Sequence, residues 1–172
     1  MNVRKVEVLS YQTMWPSLYE KEVKKLKTIF GTLCMDIHHI GSTAVNGLKA
    51  KPVIDMMMIV SILNDVDRFN SSMESIGYEP MGENGIVGRR FFQKGGDDRT
   101  HHLHIFEQGN EHINRHLAFR NYLRATPEEA KQYGQVKQML SKQFPQDIAS
   151  YIKGKENVVK EIERRALIWQ KN

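Results

Sequence analysis

The sequence predicts an α+β fold, a small mixed β-sheet with flanking helices and a helical C-terminal third, on three observations. Apolar residues recur at helical spacing over 16–30 and 63–76, and again with little break from 111 to 170. Between these lie β-prone segments at 34–40, 51–60, 89–93 and 100–106, bounded by glycine-containing turns. No internal repeat or low-complexity linker divides the 172 residues, whose composition (40% hydrophobic, 26% charged) is that of an ordinary globular chain. The expectation is one domain over 1–172, with a sheet core in about 1–110 and a helical part in about 111–170.

Each element has a local reason. In 16–30, Leu18, Val23, Leu26, Ile29 and Phe30 share a helix face, Pro16 suits the first turn and Gly31 the stop. Segment 34–40 is strand-like and runs into the turn formers Gly41-Ser42-Thr43. Segment 51–60 is almost continuously apolar, as in a central strand covered on both faces. Helical period returns through Val66, Phe69, Met73 and Ile76, and Gly77 ends it. Segments 89–93 and 100–106, separated by Lys94-Gly95-Gly96-Asp97-Asp98, read as a hairpin. Three helices follow over roughly 111–124, 127–143 and 146–170. Thr126-Pro127-Glu128-Glu129 supplies the middle one with a cap, a first-turn proline and acids at the positive end of its dipole.

Composition narrows the function classes. Residues 1–86 carry nine basic and ten acidic side chains, whereas 87–172 carry sixteen and ten. A basic second half fits an anionic partner such as a nucleotide or another phosphorylated small molecule. A lysine-rich solvated surface would give the same balance. The lysines are scattered over long helices, so no strong nucleic-acid signature is present. A lone cysteine, Cys34, cannot close an internal disulfide and fits a reducing, cytoplasmic compartment. The longest apolar run, 53–60, is interrupted by Asp55 and falls far short of the ~20 residues of a membrane span.

Three places depart from local rules. Gly41-Ser42-Thr43-Ala44 follows a strand, where successive N–H groups and two hydroxyls can form an anion-binding concavity or simply cap a helix. Asp55 is the one charge in the apolar segment 52–60; a buried carboxylate there needs a cation, whether Lys51, an arginine or a metal. In Thr100-His101-His102-Leu103-His104-Ile105-Phe106, strand alternation puts His102 and His104 on one face, able to bind one metal or bracket one phosphate. His38 and His39 add to a histidine-rich vicinity if the strands are neighbours. The single cysteine, with no Cys-x-x-Cys or His-x₃-His-with-Cys pattern beside it, argues against a closed structural zinc site. On the first C-terminal helix, His112, His116, Arg120 and Arg124 recur every fourth residue as a cationic stripe, from which Arg120 can reach a phosphate bidentately.

In this order the segments resemble the GrpB family, placed in the nucleotidyltransferase superfamily. The resemblance rests on Tyr11 and Trp15, on 39–45 and 47–55, on Gly77-Tyr78, on His101-His102-Leu103-His104-Ile105 and on 116–124. It implies a nucleotidyltransferase-like core in which Gly41 and Ser42 form the phosphate turn and Asp55 is the first catalytic carboxylate; read from the residues themselves, Thr43, Lys51 and Arg120 are further phosphate-binding candidates. A second carboxylate is expected two residues on, where this chain has Met57; His102 and His104 fall where the third acid is expected. The implied cofactor is a divalent metal (Mn, Zn or Mg) on Asp55, His102 and His104, with one aspartate and two imidazoles favouring a single softer ion. The expected function is binding of a nucleotide or other phosphorylated ligand, with metal-dependent nucleotidyl or phosphoryl transfer as its extension. The alternative is a binding or protein-interaction module that has lost the second carboxylate, in keeping with the family's occurrence fused to a dephospho-coenzyme A kinase.

Overall fold

The computed structural model describes residues 4–172. Its centre is a five-stranded sheet: β1 (Cys34–Ile40), β2 (Ile54–Val60), β3 (Tyr78–Pro80), β4 (Arg89–Lys94) and β5 (His101–Glu107), in spatial order β1-β2-β5-β4-β3. The central pair β2–β5 is parallel and the other pairs are antiparallel. Both edges are blunted: β1 carries an irregularity between Cys34 and Asp36, and β3 is three residues long and ends in Pro80.

The sheet's two faces have separate cores. On one, Ile37, Ile54, Met56, Met58, Leu103 and Ile105 pack under α1 (Trp15–Phe30) with Val66 and Met73. The methionines are core filler, as expected of flexible apolar side chains. On the other face, Ile40, Met57 and Phe106 form a smaller cluster with Ile113 and Leu117 of α3 (Glu111–Ala125). Beyond them, α3 packs with α4 (Pro127–Gln143) and α5 (Ile148–Gln170) around Val45, Leu48, Tyr122, Leu123 and Tyr133.

The expected elements are present, with local corrections. The strand expected over 51–60 begins at Ile54. The helix expected over 63–76 is a 3₁₀ segment, Leu63–Phe69, followed by the short α2, Asn70–Ser75. Asn64, Asp65 and Asp67 crowd that first stretch, and such side chains compete for the backbone groups of a regular helix. Strand β3 was outside the expectation altogether.

Candidate functional site

The site begins where β1 turns. Gly41 adopts φ 71°, ψ −167°, a conformation strained for any residue with a side chain. A Cβ there would also lie 2.9 Å from Asp55 Oδ2, so only glycine lets the turn lie against that carboxylate. Ser42–Ala44 then form a single 3₁₀ turn, closed by Ala44 N–H to Gly41 O and Val45 N–H to Ser42 O. The expected opening of a longer helix is not made, so no helix dipole points at the site.

Asp55 stands on the sheet face turned toward α3–α5. In register it neighbours Ile40 on β1 and His102 on β5. Its Oδ1 lies 3.5 Å from His102 Nδ1 and 3.2 Å from His104 Nε2, so the sequence expectation that these three meet is met. Behind each imidazole stands an arginine: Arg99 Nη1 is 2.9 Å from His102 Nε2, and Arg89 Nη1 is 3.2 Å from His104 Nδ1. A guanidinium can only donate. Both outer imidazole nitrogens therefore accept, and both inner nitrogens carry the hydrogen that is donated to Asp55. Burial would raise the Asp55 pKa, but these two donors outweigh it and hold the carboxyl well below its usual range. Burial, opposed by Asp55, lowers His102 and keeps it neutral.

The Asp55 centre opens on a cavity of about 730 Å³ between the sheet and the C-terminal helices. Gly41, Ser42, Thr43, Lys51, Asp55, His102 and His104 all line it. From α4, Lys137 is 2% exposed; its ammonium donates to Ser42 Oγ at 2.7 Å and sits 4.5 Å from the Tyr133 ring centroid. Lys51 and Lys155 flank Tyr151, each ammonium 5.2 Å from the ring centroid. Burial, aided by the neighbouring Lys155 and Arg4, lowers Lys51 to about 7. Burial likewise puts Lys137 well below its ordinary value, with Lys155 and Lys51 adding to the effect, and lowers Lys155. Asp55 is the carboxylate that all three feel, and it lies beyond ion-pair distance. Tyr151 is fully buried, and its hydroxyl has no hydrogen-bond partner among the described residues.

Several candidates stand elsewhere. Arg120 does not line the cavity: its guanidinium donates to His39 O at 3.1 Å and to Asn121 Oδ1 at 3.0 Å, holding α3 to β1. His39 is on the opposite sheet face, stacked on Tyr19 at 4.8 Å and bonded to Thr43 Oγ1 at 2.8 Å, which engages that hydroxyl away from a ligand. His38 pairs with Asp36. Of the α3 stripe, only His116 lines the cavity. Met57, in the second-carboxylate place, is fully buried in the Ile40–Phe106 cluster and faces no cavity. Sequence reasoning missed Lys137, Lys155 and Tyr151. A signal existed: Lys137 falls between Tyr133 and Leu140 on the buried face of its helix, where a lysine is out of place.

The donor set, as bonded, does not fit a metal. A cation on Asp55, His102 and His104 needs lone pairs on the inner imidazole nitrogens and hydrogens on the outer ones, which would then face the N–H groups of Arg99 and Arg89. Among the described residues, no group of three or more His, Cys, Asp or Glu side chains is arranged to hold a metal ion. No helix among them is long and apolar enough to cross a membrane.

Comparison with known proteins gives a consistent lineage. The sequence profile of the family described as GrpB protein matches residues 5–165. The UPF0157 protein YqkA of Bacillus subtilis is 48% identical over 98% of this chain and 49% of its own length, so the chain spans about half of that relative. The crystal structure of conserved protein GrpB from Enterococcus faecalis superposes with a TM-score of 0.94 at 44% identity, covering 96% of this chain and 100% of that one. A structure of Cid1, described as having RNA terminal uridylyl transferase activity, aligns with a TM-score of 0.51 at 13% identity over 74% of this chain and 39% of its own. That is a likeness of fold alone.

Proposed function

This chain belongs to the GrpB family, and from its cavity we propose that it binds a small phosphorylated ligand, a nucleotide being the fullest form of the reading. One observation carries it: Lys51, Lys137 and Lys155 converge on one cavity with Ser42, and none meets a carboxylate at ion-pair distance among the described residues. Holding three largely desolvated lysines without a counter-charge is costly, and a dianionic phosphate supplies it. The aromatic wall of Phe91, Phe119 and Tyr133 offers the rest of the ligand apolar area. The lone Cys34 supports a reducing, cytoplasmic setting for this activity.

Thermal-shift and calorimetric titration with inorganic phosphate, pyrophosphate, AMP and ATP tests the reading. A ligand at 100 times its Kd adds ~2.7 kcal/mol of stability. Ser42→Ala is expected to weaken phosphate binding by ~1 kcal/mol or more, on the scale of one hydrogen bond to a charged group. No shift with any of these phosphates would overturn the proposal.

Nucleotidyl transfer lies outside this reading. Two-metal chemistry asks for more than one anionic ligand. The place of the second is the buried Met57, while Glu163 is paired with Arg115 at 2.9 Å and Glu156 with Lys160 at 2.8 Å. Pyrophosphate release from a nucleoside triphosphate with Mg²⁺, Mn²⁺ or Zn²⁺ would establish the enzyme instead of the binding module.

A further inference from the structure

We infer that Asp55 is the cavity's hydroxyl acceptor and works without a metal, so that the ligand is a phosphorylated polyol (a sugar phosphate or nucleotide) with an alcohol close to its phosphate. The inference rests on the phosphate-binding reading above and narrows its ligand class. The carboxylate's two oxygens are used differently. Oδ1 takes both imidazole N–H groups, whose direction is fixed by the arginines behind them. Oδ2 lies against the Gly41 turn and has no hydrogen-bond partner among the described residues. The side chain remains 31% exposed while lining the cavity, so this oxygen is offered to a ligand.

The surroundings decide which ligand group suits it. Lys51, Lys137 and Lys155 all feel the Asp55 charge across the cavity, and Arg89 stands behind His104. A dication brought to Oδ2 would enter this cationic field with one free anionic oxygen to hold it, too few ligands for a hard ion. A phosphate oxygen would be repelled by the carboxylate itself. A neutral O–H donor suffers neither penalty and gains a charge-assisted hydrogen bond. The phosphate then belongs at the lysine end, near the unpartnered Tyr151 hydroxyl, and the alcohol between it and Asp55.

The test compares n-propyl phosphate, glycerol 3-phosphate and ribose 5-phosphate by calorimetry on the full chain, with EDTA throughout and in a parallel series with Mn²⁺ or Zn²⁺. The two hydroxyl-bearing phosphates are expected to bind about tenfold or more tightly than propyl phosphate, the scale of one hydrogen bond to a charged acceptor. That preference is expected to fall below threefold in Asp55→Ala. Asp55→Asn keeps an oxygen for the imidazoles, guards against misfolding of the first variant, and is expected to lose most of the preference too. Equal affinity for all three phosphates in EDTA would overturn the inference while leaving phosphate binding intact. So would binding that EDTA abolishes and Mn²⁺ or Zn²⁺ restores. Failure of inorganic phosphate, pyrophosphate, AMP and ATP alike to bind would remove the underlying reading as well.

Discussion

Gly41 shows how a single position couples fold and site. Its positive φ and its approach to Asp55 both exclude a side chain. Gly41→Ala is expected to cost about 2–3 kcal/mol in urea denaturation, from backbone strain and displacement of the carboxylate together. Lys137 carries the opposite balance. Lys137→Met removes a charge from a site 2% exposed, so its Tm is expected to hold or rise while phosphate affinity drops at least tenfold. A stable variant that still bound phosphate normally would remove Lys137 from the site. His39 gives a pH signature. Burial, opposed by Asp55 and aided by Arg124 and Arg120, lowers it to about 4. The unfolded chain then binds more protons between pH 4 and the ordinary histidine value near 6.5. The stability is therefore complete above about 6.5 and is lost as pH falls toward 4, on the order of 1–3 kcal/mol. Urea midpoints at pH 7.5 and 4.5 measure it, and His39→Gln should shrink the difference.

Strand β2 decides what the site lacks. Asp55 and Met57 share a face, but Met57 is sealed by Ile40 and Phe106 and cannot be turned into a metal ligand by substitution alone. Met57→Asp is expected to destabilise the protein by roughly 3 kcal/mol or more, as a buried unpaired charge does. It is expected to confer no Mg²⁺-dependent rise in Tm; such a rise would show that the cluster opens. The meeting of Gly41, Ser42, Lys51, Asp55, His102 and His104 was legible because alternation fixes the face of a strand and glycine marks its turn. Lys155 and Tyr151 were not, and the place of Lys137 on the buried face of its helix marked it as buried without saying where, since nothing local says that helices from the far end of the chain roof that face. Arg120 was misread for the same reason: helical spacing set its stripe but not which neighbour the stripe meets, and the His39 carbonyl of β1 took the guanidinium. Strand β3 escaped because three residues ending in Pro80 show no periodicity.

At the scale of the whole molecule, the cavity exists only when the C-terminal helices are docked, for Ser42 and Lys137 meet across 95 residues of chain. In three dimensions Lys137 of α4 and Lys155 of α5 join Lys51 around the cavity whose sheet face carries Asp55, while Glu156 and Glu163 on its lining are already paired with Lys160 and Arg115. Phosphate affinity is accordingly expected to fall between 50 and 500 mM salt, but less steeply than for an exposed basic patch, because buried charges are poorly screened. Salt-independent calorimetry would argue against an electrostatic site. The sheet's borders bear on a different property, behaviour in concentrated solution. A five-stranded sheet open at both sides invites other chains to add strands and grow fibrils. Here one border is interrupted near Asp36, whose side chain is 60% exposed, and the other is cut to three residues by Pro80, which has no N–H to offer a newcomer. Neither border presents a long, regular template, so the same short β3 that was hard to see in the sequence helps keep copies of this chain from polymerising edge to edge.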